Sequence, residues 1–374
     1  MSEATTPEER EELRATVRAL LEAKSSEEHV RRAMESERGY DEALWTQMAD
    51  QVGLQGLAFP AEHGGDGYGF AELGVVLEEL GRALTPSPFL PTVVLAGTAL
   101  TASGDTAAQA AHLPGIAAGK TTATLAVAEG DGLWDTGSLT TTATRDGAGW
   151  TLTGRKWFVL NGATADLILV VAQADEGPSL FAITGDAPGL VRTPLRTLDL
   201  TRPLARLDLT AVPAAPVGEP GSAAAIVARV LDHGTTALAA EQVGGALACL
   251  KASVAYARER VQFGRPIGSF QAVKHKCADM LVRVQLADAA AHEAADALTG
   301  AEDAPDPAVA AAVAHVVCSE AFMFVAMENI QVHGGIGFTW EHPAHLYFRR
   351  AKSSQLLFGG PAVYHERLLS RMGL

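Results

Sequence analysis

Apolar residues recur at spacings of three and four in Glu8–Glu22, Asp41–Val52 and Ala71–Leu84, so the chain from residue 7 to about 115 is expected to be helical. The texture changes near Thr121. Thr121–Ala128, Gly149–Thr153, Lys156–Leu160, Asp166–Ala172 and Ser179–Ile183 are short runs rich in Val, Leu, Ile, Thr and Trp, separated by Gly, Asp and Asn, and they predict strands joined by turns. The Pro- and Gly-rich stretch Pro213–Ser222 is expected to close that unit. Beyond it, Ala-rich segments over Ala223–Arg260, Ser269–Thr299, Asp306–His333 and His342–Leu357 predict a helical bundle, because small side chains let helices approach closely. The predicted chain is α+β: a helical domain over 1–118, a β-barrel or sandwich domain over 119–220, and a helical bundle over 221–374.

One conspicuous loop, Pro60–Gly69, has the glycine density of a tight connection. Glycine loops also cradle phosphates, but no strand precedes this one as a dinucleotide fingerprint requires, so a structural turn is the favoured reading.

With 374 residues and 48% hydrophobic content the chain has ample apolar surface for large cores. A net charge of −15 leaves no basic field to collect nucleic acid or anionic lipid. Met1–Lys24 is rich in Glu and Arg and lacks an apolar run long enough for a signal peptide or membrane span, so a cytoplasmic protein is expected. Cys249, Cys277 and Cys318 lie far apart in Ala-rich helical patterns and read as free buried thiols rather than reactive ones. The 11 histidines show no metal-ligand spacing, and no metal site is expected.

Two motifs carry chemistry. The first runs from Arg258 through Arg260, Phe263, Gly264, Arg265 and Gln271 to Lys276; the second is Gln331-Val332-His333-Gly334-Gly335-Ile336-Gly337-Phe338-Thr339-Trp340-Glu341, continuing to Arg349-Arg350-Ala351. Together they strongly resemble the acyl-CoA dehydrogenases, and the resemblance covers essentially the whole chain. It implies an amino-terminal helical domain, a central β domain and a carboxy-terminal four-helix bundle that forms dimers and tetramers. It also implies FAD, an acyl-CoA substrate and electron-transfer flavoprotein as electron acceptor. A pyrophosphate wants guanidinium and backbone N–H donors, and the flavin and adenine want flat apolar neighbours with a few amide hydrogen bonds. Arg260, Phe263 and Gln271 offer that set, and by the resemblance they reach the FAD of a neighbouring subunit. The loop carrying Gln331, Gly334 and Gly335 then lets backbone approach the cofactor. In the β domain, Val127 falls where the family covers the flavin, and Phe158 where it packs an aromatic ring. Trp157 stands one place earlier, and the sequence leaves open which ring touches the flavin and which is plain core.

Dehydrogenation between the α and β carbons needs a base for the α-proton and a hydride acceptor for the β-hydrogen. The resemblance places the usual Glu near the carboxy terminus, and alignment on Arg367 puts Gly360 there. The alternative position, on the first long helix of the last domain, falls on Gly234. Seven residues on, Glu241 is the only charged residue in Thr235–Leu250. Three readings of Glu241 stay open: the catalytic base, a partner to a buried Arg across the bundle, or a solvent or interface residue. Gly244 and Gly245 are expected to permit close approach of a ligand or flavin. The Ala-Ala-Glu-Gln-Val-Gly-Gly stretch resembles actinobacterial members from steroid catabolism, some of which are heterotetramers in which one chain lacks a base. The expected function is thus FAD-dependent acyl-CoA dehydrogenation by a homo- or heterotetramer. The alternatives are a non-catalytic companion subunit and a flavin oxidase or monooxygenase on the same fold.

Overall fold

A computed structural model describes residues 5–147, 149–299 and 304–372, which pack into two compact units. The first comprises residues 32–69 and 86–234, the second residues 5–31, 70–85 and those from 235 onward.

The first unit is built on seven strands: β1 (Ala123–Ala126), β2 (Thr142–Asp146), β3 (Gly149–Leu160), β4 (Leu167–Ala174), β5 (Gly177–Thr184), β6 (Leu190–Pro194) and β7 (Leu204–Val217). Neighbours run β4–β2–β3–β7–β5, and β5 pairs back onto β4, so the sheet closes into a barrel. Closure satisfies the backbone donors and acceptors that an open edge would leave bare. Leu152, Val159, Ile168, Val170, Phe181 and Leu207 fill the interior.

The two runs predicted over Gly149–Thr153 and Lys156–Leu160 are one strand, β3, which bulges against β7 between Leu152 and Gly154 and again between Lys156 and Val159. The Pro213–Ser222 stretch, expected to close the β unit, is half strand: β7 continues to Val217 before the chain leaves the sheet. A proline removes only its own N–H from a ladder, and Val212, Ala214, Ala215 and Val217 keep the pairing around Pro213 and Pro216.

Helices α1 (Pro7–Lys24), α2 (Glu27–Glu35), α3 (Glu42–Asp50) and α4 (Phe70–Arg82) precede a π-helical run, Leu90–Ala96, that leads into α5 (Gly97–Ala102) and α6 (Thr106–Ala117). Leu90–Leu100 shows no amphipathic period in the sequence because it is buried on all sides. Within the first unit, the Thr92 hydroxyl donates to the Ala123 carbonyl at 2.9 Å and accepts from the Ala123 N–H at 3.0 Å, seating the π-helical run against β1. The Pro60–Gly69 loop is a tight turn in which Gly65 N–H donates to Pro60 and Tyr68 N–H to Leu57.

The second unit contains α1, α4, the long α7 (Ala223–Glu259) from Thr235 on, α8 (Gln271–Ala297), α9 (Pro307–His333), α10 (Ala344–Leu356) and α11 (Pro361–Arg371). Alanines of α7, α8 and α9 form one core, and Leu250, Met280, Phe322 and Val325 anchor a second. The helical stretch Pro307–Phe338, which includes α9, is the one among the described residues long and apolar enough to cross a membrane; its most apolar window has a mean hydropathy of 1.9, and 61% of that window is buried inside the protein.

The crossing of α4 and α7 is a glycine contact. A Cβ on Gly81 would lie 2.1 Å from the Glu241 carbonyl oxygen, and one on Gly244 would lie 1.9 Å from the Glu78 carbonyl oxygen. A Cβ on Gly245 would meet the Phe322 ring at 2.5 Å. Gly244 and Gly245 therefore admit a helix backbone and a core ring, not the ligand or flavin their sequence suggested. Nearby, Glu79, fully buried, accepts from Arg18 at 2.7 Å and Arg82 at 2.5 Å, while Arg14 pairs with Glu78 at 2.7 Å. A carboxylate this deep is retained only with such partners.

Candidate functional site

In the first unit Val127 follows β1 directly and is buried, while Phe158 sits at the second bulge of β3 with φ of +54°. That backbone conformation is costly for a ring-bearing residue, and it turns Phe158 outward, where it is 43% exposed. The Trp157 ring lies 6.1 Å from that of Phe158, and Arg155 and Arg206 lie 6.0 and 5.4 Å from the Trp157 ring. Three residues on, the Asn161 side-chain N–H2 is buried with no hydrogen-bond partner among the described residues.

Lys156, between the two bulges, is fully buried, a feature the sequence reading passed over. Its ammonium donates to the Val127 carbonyl at 3.0 Å and to Glu129 at 2.8 Å. Burial pushes Lys156 down to about 8 against the pull of Glu129. Burial works against the charge on Glu129 as well, yet hydrogen bonds from Lys156 and Thr140 hold it at about 2. A charged residue inside Lys156–Leu160, otherwise apolar, was the signal available in the sequence. Beside this pair a cavity of about 400 Å³ is lined by Glu129, Leu133, Leu139, Thr140, Arg155 and Trp157. A larger open cleft of about 760 Å³, with Arg38, Tyr40, Asp166 and Arg192 on its walls, contains none of the predicted site residues.

In the second unit Val261–Gln262 (β8) and Arg265–Pro266 (β9) pair as a hairpin whose two turn residues, Phe263 and Gly264, have φ of +51° and +74°. Such a turn matches strand twist but favours Asn and Gly over aromatic residues. Phe263 nonetheless occupies it and is 91% exposed. Arg260 and Gln271, at either end of the hairpin segment, are exposed as well, with Gln271 Nε2 3.3 Å from His275 Nε2. At the end of α9, Gln331 and Gly334–Gly335 are exposed. Gly334 caps the helix at φ +63°, and nothing stands within 4 Å of where a Cβ would project at either glycine.

Glu241 lies on α7 of the same unit. Its Oε2 is 3.7 Å from Arg350 Nη1, with the two side chains 9% and 6% exposed. The structure thus supplies the buried arginine that one reading of Glu241 required.

Models of the acyl-CoA dehydrogenase N-terminal, middle and C-terminal domains match residues 7–120, 124–209 and 223–373. The chain belongs to the acyl-CoA dehydrogenase family. Among acyl-CoA dehydrogenases it is 39% identical to IpdE2 of Mycobacterium tuberculosis, covering 98% of each chain. It superposes with a TM-score of 0.88 on a chain of a Tcur3481–Tcur3483 steroid acyl-CoA dehydrogenase variant, at 36% identity and 99% coverage of both. A chain of the ChsE4–ChsE5 complex from Mycobacterium tuberculosis superposes equally well, with a TM-score of 0.88 at 31% identity, covering 99% of this chain and 98% of that one.

Gly360, where alignment expects a carboxylate in many acyl-CoA dehydrogenases, is the N-cap of α11, after Phe358 and Gly359 at φ +64° and +110°. His315 donates from Nε2 to the Gly359 carbonyl at 3.0 Å and stacks on Tyr364 at 4.0 Å, and Tyr364 in turn bonds Thr235 at 2.7 Å. Sequence reasoning missed this cluster, because His315 and Thr235 lie 44 and 129 residues from their partners Gly359 and Tyr364. Burial pushes His315 down to about 4 against the bond to Gly359. Below pH 6.5 the unfolded chain binds a proton that the folded one refuses until about 4, so this site's contribution to stability falls across that window. At about 1.4 kcal/mol per unit the loss is on the order of 3 kcal/mol. His233, also pushed to about 4 by burial, acts with the same sign. Urea unfolding at pH 7 and pH 4.5 is expected to show the loss, and His315→Gln to reduce it by about half.

Proposed function

We propose that this chain is a subunit of an FAD-dependent acyl-CoA dehydrogenase that removes hydrogen from the α and β carbons of a bulky, steroid-derived CoA thioester. It does so in the cytoplasm and delivers electrons to electron-transfer flavoprotein. The chain is divided into helical, β and bundle segments at 118/119 and 220/221, and works with a second, related subunit. The steroid preference and the heteromeric assembly draw on the Tcur3481–Tcur3483 and ChsE4–ChsE5 structures.

The observation that carries this reading is the hairpin bearing Phe263. An aromatic ring held 91% exposed on a strained turn, touching its own chain edge-on at Phe270 with ring centroids 6.1 Å apart, is poorly used there, whereas a flat nucleotide on a neighbouring subunit would offset both the exposure and the strain. The donor set fits FAD. Arg260 and Gln271 would hold the pyrophosphate and adenine, and Gln331, Gly334 and Gly335 would admit backbone close to the nucleotide. Val127 and Phe158 would bound the flavin ring, with the unpartnered Asn161 amide as a further donor. When bound, FAD accepts the β-hydride. Glu241 would receive the α-proton on its carboxylate.

A second reading, in which this chain supplies the hairpin and its partner supplies the base, is favoured by Arg350 standing 3.7 Å from Glu241. Phe263→Ala tests what the two readings share. Because the ring is exposed, the variant is expected to keep its helical content and thermal midpoint, while FAD retained per assembled tetramer falls at least ~10-fold. Full retention of flavin by that variant would refute the hairpin's role.

A further inference from the structure

The sheet leaves β1 at Ala126, and the next three residues are stitched to β3 by a different device. Lys156 Nζ donates to the Val127 carbonyl at 3.0 Å, Trp157 N–H donates to the Ala128 carbonyl at 2.9 Å, and Lys156 Nζ donates again to Glu129 at 2.8 Å. Glu129 then reaches across the loop, accepting from Thr140 N–H at 2.7 Å, Thr141 N–H at 3.0 Å and the Thr140 hydroxyl. A fully buried ammonium is expensive, and an apolar side chain of equal volume would serve a barrel interior as well or better. What an apolar side chain cannot do is hold a strand-end carbonyl and a carboxylate together. The second bulge begins at Lys156, and two residues later Phe158 turns outward at φ +54°.

We propose that Lys156 is a positioning residue of the flavin site: with Glu129 it clamps Val127–Glu129 to β3 and closes the 129–141 loop, setting where the Val127 carbonyl and the Phe158 ring stand. The same clamp closes the base of the loop that bounds the 400 Å³ cavity beside Trp157. This role rests on the flavin-dependent reading above.

The test uses the full chain with whichever companion it assembles with. Lys156→Met paired with Glu129→Gln removes the clamp without stranding a buried carboxylate, and Thr140→Val loosens it without touching a buried charge. In the pair, amide hydrogen exchange across residues 127–141 is expected to rise at least ~10-fold, while exchange in the remaining strands stays the same. The Kd for FAD should rise at least ~10-fold, with a shift of the visible flavin band. Thr140→Val should change all three in the same direction by about threefold and decides the matter if the pair does not fold. Unchanged exchange in the loop would overturn the clamp. Faster exchange with unchanged FAD affinity and flavin spectrum would overturn its positioning role. A wild-type protein that takes up no FAD, alone or with a companion chain, would sink the flavin reading and this role together, which the variants' exchange rates by themselves would not do.

Discussion

Glu241→Gln is expected to leave FAD bound but slow flavin reduction by an acyl-CoA substrate at least ~100-fold, the usual worth of a positioned base. Glutamine keeps the size of the side chain and its hydrogen-bonding reach toward Arg350 while losing the ability to take a proton. The carboxylate is buried on α7 with its backbone pressed against Gly81, so its place is fixed by the helix crossing rather than by the substrate. Arg350, 3.7 Å away, is the cation that faces this carboxylate inside the second unit. Anaerobic stopped-flow reduction with steroid-derived CoA esters is the measurement. Unchanged reduction would move the base to the partner subunit and leave Glu241 as one half of an ion pair. In that case Arg350→Met should destabilise the chain by about 3 kcal/mol, the cost of a buried charge left uncompensated.

Gly244→Ala is expected to destabilise the second unit by about 3 kcal/mol or more, because the added methyl would stand 1.9 Å from a backbone carbonyl oxygen of α4 that cannot rotate away. The helices must separate, and the Glu78 and Glu79 ion pairs beside the crossing must shift with them. Gly74→Ala provides the contrast. Gly74 lies inside α4 with nothing within 4 Å of its missing Cβ, so alanine there should stabilise by up to ~1 kcal/mol through helix propensity. Thermal midpoints of the two variants are expected to move in opposite directions. A similar small shift in both would mean that the crossing is loosely packed.

Periodicity alone placed most helices, because their buried faces repeat at helical spacing and the repeat survives in one dimension. Leu90–Leu100 fell within the stretch expected to be helical but could not be set apart as an element, because burial erases its period, and at Pro213–Val217 the expected boundary yields to pairing with β3 and β5. Most residues proposed to hold the cofactor cluster in two continuous motifs, around Phe263 and around Gly335, so the proposal could be framed with little of the fold in view, whereas Val127 and Phe158 stand apart from both. Glu241 was conspicuous for a similar reason: a lone charge in an apolar helix stands out without any partner in view. Its partner did not, since Arg350 follows 109 residues later and only packing brings the two together. Lys156 with Glu129, and His315 with Gly359 and Tyr364, are likewise pairings between distant segments, whose polar atoms meet only after the barrel closes and the bundle packs. Gly244 shows the limit most plainly. The sequence by itself determined that something could come close to that backbone, whereas only the tertiary structure decided that it is the Glu78 carbonyl of α4, because a missing side chain specifies room and not its occupant.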